Sequence, residues 1–344
     1  MQQMKAVRLA RIGTKASAEL HDEPLPIPGQ HQVLVKVHAA SLNYRDMVVL
    51  RGEYPGETKK DVVPLSDGAG QVVAVGKGVK RVEPGDRVTV SCLTSWIGGP
   101  SIAEYRSSSV GFTIDGMLAE YAVFYEDALV RIPNYLSYVE AASLPCAAVT
   151  AWAGLNKIEP LQPGHTVLIQ GTGGVSLFTL QFAKILNARV LAITSSDEKA
   201  AKLKELGADA AVNYSTCPDW DREILALTNG KGVDRVLDIA GEKTIIKSGA
   251  STKIGGVIVA VGFASGFGGG LPPIDILARS LTVTGSSIGS RLDFEAMLAA
   301  MARRETRPVI DQVYPFAEYR EAYRRLESGQ QVGKIVIEVT PAAV

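Results

Sequence analysis

Apolar positions follow two different patterns in two parts of the chain. Up to about residue 130 the apolar runs are short and often alternate with polar positions, as in VLVKVHAA, GAGQVVAV and DRVTV, and turns such as PIPG and EPGD separate them. Alternation with a period of two predicts strands with one buried face, and Pro and Gly mark the turns between them. We therefore expect residues 1–130 to form a mainly β domain.

Between residues 131 and 313 apolar strands alternate with helical patterns. TVLIQG is followed by the helical SLFTLQFAKILN, RVLAIT by DEKAAKLKELG, and the strands AAVNY, RVLDIA, GVIVAVG and LTVTGSS precede the helical DFEAMLAAMARR. This alternation predicts a doubly wound parallel sheet, so the expected fold class is α/β. Residues 314–344 add a helical pattern, AEYREAYRRLESG, and a strand, KIVIEV, which we expect to complete the first domain.

The charge balance narrows the choice of partner. The 344 residues include 36 Lys and Arg and 36 Asp and Glu, so a small molecule is the expected partner rather than nucleic acid or an anionic membrane. Cys92, Cys146 and Cys217 lack the CxxC spacing of a disulfide framework or zinc site. The sequence has neither a signal-peptide pattern nor an 18-residue apolar run, so we expect a cytoplasmic protein with no membrane segment.

The loop GTGGVS follows a predicted strand and opens a predicted helix. In this context Gly171 permits a tight turn, and Gly173 lets backbone amides approach a pyrophosphate at the helix N-terminus. Ser176 replaces the third glycine of the usual pattern. A glycine-rich turn without a ligand is the alternative. The loop predicts dinucleotide binding by Gly171, Thr172, Gly173, Gly174 and Val175.

Polar residues after the next strand bear on the choice of cofactor. RVLAIT runs into Ser195 and Ser196, with Lys199 in the following turn, where NAD-binding proteins usually place an acid for the ribose hydroxyls. Two hydroxyls and an ammonium favour a 2′-phosphate, so the predicted cofactor is NADP(H). Asp197 argues for the ribose instead, and a capping box formed by Ser195 and Glu198 is the structural alternative.

The carboxyl ends of the later parallel strands predict further cofactor contacts, because ligands of open α/β sheets bind at that edge. They are Ala240, Val261, Gly262, Phe263 and, in the loop SIGSR, Ser287 and Arg291. The four histidines are dispersed, and we assign them no catalytic role.

Several motifs in order resemble the medium-chain dehydrogenase/reductase superfamily, and within it the zinc-free quinone oxidoreductase-like branch. They are PGQHQVLVKVHAASLNYRDMVVLRGEYP, VEPGDRV, DGMLAEY, EAASLPCAAVTAW, GTGGVS and VGKIVIEV. The resemblance implies a GroES-like β domain with the substrate site, a Rossmann domain with the nucleotide, and dimers or tetramers. It also implies that Tyr214 lies beside the 2′-phosphate and Lys334 near the cleft. The alternatives are a strand-end aromatic and an exposed lysine.

The resemblance also shows which zinc ligands are replaced. Zinc-dependent alcohol dehydrogenases of the superfamily supply a Cys, a His-Glu pair, and a second Cys or a carboxylate; the matching positions here are Asn43, Ser66-Asp67 and Cys146. A catalytic zinc needs three good ligands. The lobe that would hold a structural zinc contains Cys92 alone. We therefore expect no bound metal.

Without a metal as Lewis acid, a substrate that spreads developing charge is favoured. We predict NADPH-dependent hydride transfer to a quinone or an α,β-unsaturated carbonyl compound, which are small electrophiles. The candidate catalytic residues are Asn43, directed at the nicotinamide or the substrate oxygen, Tyr54, a proton donor by resemblance to enoyl reductases, and Tyr44 and Asp46. Ordinary packing is the alternative for both tyrosines, and helix capping or pairing with Arg45 is the alternative for Asp46.

Two other functions stay open at this point. One is an alcohol dehydrogenase or aldehyde reductase of the same superfamily, and the other is a non-enzymatic NADPH-binding interaction protein. Pairing of LTVTGSS with a second copy predicts a homodimer, as in relatives. The loop of residues 93–115 is expected to line the substrate site.

Overall fold

The computed structural model describes residues 2–12 and 15–341. The chain divides into two compact units: residues up to Val149 together with those from Ser290 form the first unit, and Thr150–Gly289 form the second. In chain order, the strands are β1 (Gln3–Ile12), β2 (Lys15–Pro24), β3 (Gln32–Ser41), β4 (Asp67–Val75), β5 (Arg87–Val90), β6 (Tyr121–Tyr125), β7 (Leu129–Arg131), β8 (Thr166–Gln170), β9 (Arg189–Thr194), β10 (Ala210–Asn213), β11 (Val233–Asp238), β12 (Thr252–Ala260), β13 (Thr282–Gly285), β14 (Ile310–Pro315) and β15 (Lys334–Glu338).

The α-helices are α1 (Tyr44–Arg51), α2 (Tyr138–Ala142), α3 (Ala147–Asn156), α4 (Gly174–Ile185), α5 (Asp197–Glu205), α6 (Trp220–Leu227), α7 (Ile245–Ser251), α8 (Pro273–Arg279), α9 (Arg291–Ala302) and α10 (Tyr319–Glu327). Short 3₁₀ helices cover Ala103–Ser108, Glu126–Ala128 and Phe316–Glu318. No helix within the described ranges is long and apolar enough to cross a membrane.

The first unit is built on a seven-stranded sheet in the order β14-β15-β3-β4-β5-β7, with β6 also paired to β3. Its core holds alternating side chains of the strands, such as Val33, Val35 and Val37 of β3, which are all buried. Strand β15 pairs with β3, as predicted for KIVIEV, and Ser41 lies in register with Val336 and with Asp67. The end of β3 therefore meets the starts of β4 and β15.

The second unit is a six-stranded parallel sheet in the order β10-β9-β8-β11-β12-β13. The chain moves outward from β8 in one direction and then, through β11, in the other, which is the doubly wound Rossmann order with its switch point between β8 and β11. Buried apolar side chains of the strands and of α6, including Leu168, Ile193 and Trp220, form the core of one face. The predicted α/β fold class, a GroES-like sheet domain plus a Rossmann domain, is confirmed.

The compact units differ in extent from the predicted 1–130 and 131–313. Helix α2 belongs to the first unit because Ala141 and Ala142 pack on Ala39 and Ala69 of its sheet. Helix α9 and strand β14 belong there as well: the amide of Arg291 donates to the carbonyl of Trp96, and β14 pairs with β15. These long-range contacts are invisible in a local strand–helix pattern.

Candidate active site

The ends of three adjacent strands bring a ring of polar side chains together in the first unit. Lys334 Nζ donates to Asn43 Oδ1 at 2.6 Å and lies 3.5 Å from Asp67 Oδ2. Ser66 Oγ donates to Asp67 Oδ1 at 2.8 Å, and Asn43 Nδ2 donates to Ser66 Oγ at 3.4 Å. Asn43 is 9% exposed, Lys334 3%, and Ser66 and Asp67 are fully buried. An ammonium and a carboxylate are thus held in one closed network away from water. We call these four residues the polar ring.

Asn43 owes its position to the junction of β3 and α1. It is the N-cap residue of α1 and has extended backbone angles. Asp46 Oδ2 accepts the backbone N–H of Asn43 at 2.7 Å. Asp46 therefore helps to cap α1, which was one of the two alternatives to a catalytic role for this residue. Asp46 is itself buried, and burial raises the pKa of its carboxyl to about 6.

Arg45 and two cysteines lie beside the polar ring. Arg45 donates to Cys92 Sγ at 2.8 Å and to Ser109 Oγ at 2.9 Å, so its guanidinium serves these two acceptors. A hydrogen bond from the Cys146 thiol, and the charge of Arg45, lower the pKa of Cys92 against the opposing effect of burial.

Tyr54 contacts Arg45, whereas Tyr44 is an exposed residue of α1. The Tyr54 ring packs edge-to-face on Phe112 with centroids 4.9 Å apart, and the Arg45 guanidinium carbon lies 5.3 Å from its centroid. Burial raises the pKa of the Tyr54 phenol, so this group stays protonated at neutral pH and suits a proton donor. Tyr44 is 42% exposed in the first turn of α1.

The polar ring does not fit a catalytic zinc. Asn43 Oδ1, the one oxygen that this amide offers, accepts from the Lys334 ammonium, which would repel a divalent cation. Within residues 2–12 and 15–341, no cluster of three or more His, Cys, Asp or Glu side chains has an arrangement that holds a metal ion. The groups around Asn43 are an ammonium, a hydroxyl and one carboxylate, which do not make up a set of zinc ligands.

The glycine loop of the second unit fits a dinucleotide. It follows β8, with Gly171 at a φ of 73°, and α4 begins at Gly174. A Cβ at Gly171 or at Gly173 would meet no atom within 4 Å, so the backbone there faces open space. Ser176, in place of the third glycine, is buried and donates to the carbonyl of Gln170 at 2.5 Å. The first turn of α4 is thus tied to the strand end, and the first N–H groups of a helix have no carbonyl partner within it, which suits an anion.

The ends of β9 and β10 bring the predicted 2′-phosphate residues together. Ser196 is the N-cap of α5 and accepts the backbone N–H of Lys199 at 3.2 Å. The capping box predicted with Ser195 is therefore wrong by one residue, and the Ser195 side chain is exposed. Ser195 is linked to the strand end after β10, because Ser215 Oγ donates to its carbonyl at 2.8 Å and Tyr214 immediately precedes Ser215. Asp197, the acid that argued for NAD, accepts from Asn213 at 2.9 Å.

Sequence reasoning missed Asp238, which organises the switch point. This buried carboxylate ends β11; its Oδ1 accepts the backbone N–H groups of Ala240 at 3.2 Å and Gly241 at 2.8 Å. Its Oδ2 accepts from Gln170 at 3.0 Å and from Ser248 at 2.6 Å. Asp238 thus joins the loop after β11 to the end of β8. The sequence feature that could have indicated this pair is a polar residue at the end of each strand, Gln170 in TVLIQ and Asp238 in VDRVLD.

The predicted residues on the other side of the switch point also come together. The backbone N–H of Val261 donates to the carbonyl of Asp238 at 2.8 Å, and that of Gly262 donates to the same oxygen at 3.2 Å. Ser265 donates through both its amide and its hydroxyl to the carbonyl of Ala240. Phe263 stacks on Phe267 with ring centroids 4.5 Å apart. Ala240 and residues 261–263 therefore form one edge of the second unit.

Ser287 and Arg291 are placed differently from each other. Ser287 is exposed after β13, and its carbonyl lies 3.5 Å from Thr150 Oγ1. Arg291 belongs to the first unit, where its guanidinium donates to the carbonyl of Asp127 at 2.9 Å and to the Asp127 carboxylate at 3.1 Å. The buried Arg291 guanidinium thus ties the start of α9 to Asp127, and its contact with a cofactor stays a prediction.

Asp46→Asn is expected to change the pH dependence of stability. The pKa of Asp46 is raised from 3.8 to about 6 in the folded protein, so the folded state retains a proton that the unfolded chain releases. The resulting stabilisation is complete below about pH 4 and is lost as the pH rises through about 6. Urea unfolding should show the variant gaining about 2 kcal/mol relative to wild type between pH 4 and pH 7.5. A difference that does not vary with pH would contradict the pKa of Asp46.

The GroES-like first unit and the glycine loop of the Rossmann second unit are those of an NAD(P)-dependent oxidoreductase. Comparisons with known proteins identify its family. Residues 29–134 match the alcohol dehydrogenase GroES-like domain, and residues 174–303 match the zinc-binding dehydrogenase domain. A zinc-type alcohol dehydrogenase-like protein of Schizosaccharomyces pombe (strain 972) is 42% identical over 91% of this chain and 91% of its own. The chain belongs to the medium-chain dehydrogenase/reductase superfamily.

Solved structures with similar folds carry several different names. A putative alcohol dehydrogenase from Sinorhizobium meliloti 1021 is 36% identical, with a TM-score of 0.92 over 98% of this chain and all of its own. An NAD-dependent alcohol dehydrogenase is 34% identical, with a TM-score of 0.88 over 98% and 100%. The quinone oxidoreductase of Pseudomonas syringae pv. Tomato DC3000 is 27% identical, with a TM-score of 0.82 over the same shares. A mycobacterial protein complexed with NADPH is 28% identical, with a TM-score of 0.81, also over 98% and 100%.

Proposed function

We propose that this protein is a zinc-independent NADPH-dependent reductase of quinones or α,β-unsaturated carbonyl compounds. The observation that carries the proposal is the polar ring, in which Asn43 bonds to an ammonium and a serine where zinc-dependent relatives have a metal ligand. An amide at that position is a hydrogen-bond donor for a substrate oxygen. Such a donor suits substrates whose developing negative charge is delocalised.

The residues of the first unit divide the chemistry between them. The reduced nicotinamide, when bound, supplies a hydride. Asn43 donates through Nδ2 to the carbonyl oxygen, which gains negative charge as the enolate or phenolate forms. Tyr54 holds the proton that completes the reduction, and its raised pKa keeps that proton in place at neutral pH. Asp46 keeps the backbone of Asn43 fixed. A role for Tyr44, which is 42% exposed beside Asn43 in the chain, stays a prediction.

The preference for NADPH rests on the end of β9. Ser195 stands there with an exposed side chain, and the neighbouring acid Asp197 is bonded to Asn213. In this proposal Lys199 and Tyr214, at the same edge, contact the 2′-phosphate. The second unit would hold the pyrophosphate with residues 171–175 and the rest of the dinucleotide with Ala240, residues 261–263 and Ser287.

Turnover by the purified protein tests the proposal. After chelator treatment, NADPH oxidation at 340 nm is followed with quinones, 2-enones, enals and simple aldehydes, with NADH in parallel. We expect turnover of quinones or enones with preference for NADPH, and no gain when zinc is added back. Activity on alcohols that appears only with added zinc would identify a zinc alcohol dehydrogenase instead. NADPH binding without turnover of any compound would favour the non-enzymatic alternative.

We also propose that the protein is a homodimer joined through β13. This strand is the last of the six-stranded sheet in the described residues, so one of its edges is free to pair. Val283 of β13 is exposed, and so are Ile254 and Leu277 of the same unit. Light scattering of the purified protein gives the mass, and a monomer at micromolar concentration would exclude this arrangement.

A further inference from the structure

Each hydrogen bond of the polar ring has only one possible assignment of donor and acceptor. An ammonium has protons to donate and no lone pair, so the Asn43 atom that faces Lys334 must be the oxygen. A carboxylate accepts only, so the Ser66 hydroxyl donates its proton to Asp67 and keeps lone pairs for Asn43 Nδ2. The ring thus fixes which end of the Asn43 amide points where, with no freedom to exchange oxygen and nitrogen.

Lys334 itself is fully engaged. Besides Asn43 Oδ1 and Asp67, its ammonium donates to the carbonyl of Leu42 at 2.6 Å, so its three protons have three oxygen acceptors. It therefore has no proton left to offer a substrate. The Asn43 amide differs, because one Nδ2 proton points to Ser66 and the second has no hydrogen-bond partner among the described residues.

We propose that Lys334 and Asp67 are positioning residues that hold the Asn43 amide with its nitrogen toward the substrate oxygen, in the place where zinc-dependent relatives use a metal. The inference rests on the proposed function and assigns to that site two residues that act through Asn43. Lys334 was predicted to lie near the cleft as a cofactor contact; its buried ammonium acts on the amide instead. The ring selects substrates that present a hydrogen-bond acceptor.

The test removes both charges of the ring at once. Lys334→Met alone would leave Asp67 buried without its counter-ion, and misfolding would obscure the result. Lys334→Met combined with Asp67→Asn leaves the net charge unchanged and replaces the ion pair with neutral side chains of similar size. The matched control is Lys5→Met with Asp22→Asn, which removes a solvent-exposed ion pair of 3.0 Å in the same unit. Circular dichroism and thermal unfolding check that both double variants fold.

Kinetics then separate positioning from a general structural effect. We expect kcat for the best electrophile to fall ~10-fold to 100-fold in the ring variant, with KM for NADPH within about twofold of wild type. The control should keep wild-type kcat. Adding Asn43→Ala to the ring variant should give a rate within about threefold of Asn43→Ala alone, because residues that act through one group are not additive. Multiplicative losses in the triple variant, or a ring variant with wild-type kcat, would overturn the proposal.

A spectroscopic readout keeps this inference separate from the proposed function. The side-chain amide resonances of Asn43, identified by ¹⁵N-asparagine labelling and by their disappearance in Asn43→Ala, should shift in the ring variant and stay in place in the control. An unshifted signal would overturn the positioning role even if the enzyme reduces quinones. Absence of turnover in wild type together with a shifted signal would overturn the proposed reaction and leave the ring as the device that orients Asn43.

Discussion

Asn43→Ala is expected to lower kcat for quinone or enone reduction by ~10² to 10³, the loss typical of removing one donor to a developing oxyanion. The amide lies 9% exposed between Lys334 and Ser66, so its nitrogen is held in one orientation before substrate arrives. Its donor then strengthens as charge develops, which lowers the barrier without tightening substrate binding equally. KM for NADPH should stay within about threefold of wild type, because the dinucleotide loop belongs to the second unit.

Steady-state kinetics with the best electrophile of the panel measure this effect. Asn43→Asp is the informative partner variant: it can still accept from Lys334, but it offers the oxyanion a negative charge instead of a proton, so its loss should be at least as large. Asn156→Ala is the matched control, since it removes an amide that donates to the carbonyl of Trp152 in its own helix, α3. An Asn43→Ala enzyme that keeps a third of wild-type kcat would exclude the amide as the oxyanion donor.

Local sequence patterns predicted the parallel sheet of the second unit well, because each strand and each helix of that sheet corresponds to one short segment of the chain. Each strand of the parallel sheet is one apolar run followed by a helical pattern, and the right-handed connection leaves few ways to arrange them. The glycine loop and the polar residues after RVLAIT could be placed at the same edge from that order alone. Only the structure shows that Ser196 and not Ser195 caps α5, because two neighbouring serines are equally good N-cap residues in sequence.

The polar ring was less accessible to sequence reasoning. Asn43 came from the resemblance to the superfamily, yet its main partner Lys334 lies 291 positions further along the chain. A buried lysine looks like a surface lysine in sequence, and only the pairing of β15 with β3 shows that its ammonium faces inward. Arg291 shows the same limit: the sequence places it after the last parallel strand, and only the structure shows that its guanidinium donates to Asp127 of its own unit.

Ser195→Asp is expected to reverse the cofactor preference from NADPH toward NADH. A carboxylate at the exposed end of β9 would repel a 2′-phosphate and accept the ribose hydroxyls instead. Loss of charge-assisted contacts worth about 1.5–3 kcal/mol each predicts a fall in kcat/KM for NADPH of ~100-fold. The value for NADH should hold or rise. The ratio of the two kcat/KM values with one electrophile measures the change directly.

Ser328→Asp provides the charge control, since Ser328 is exposed in the first unit and the same substitution there should leave the ratio unchanged. Lys199→Ala tests the other side of the same site: loss of the ammonium should weaken NADPH and spare NADH, whereas a lysine that only stabilises α5 would affect both cofactors alike. A wild-type enzyme that already prefers NADH, with Asp197 released from Asn213 to hold the ribose, would show that the hydroxyls at this strand end do not select a phosphate. Such a result would indicate that the protein uses NADH. It would not test the role of Asn43, which the Asn43 variants test separately.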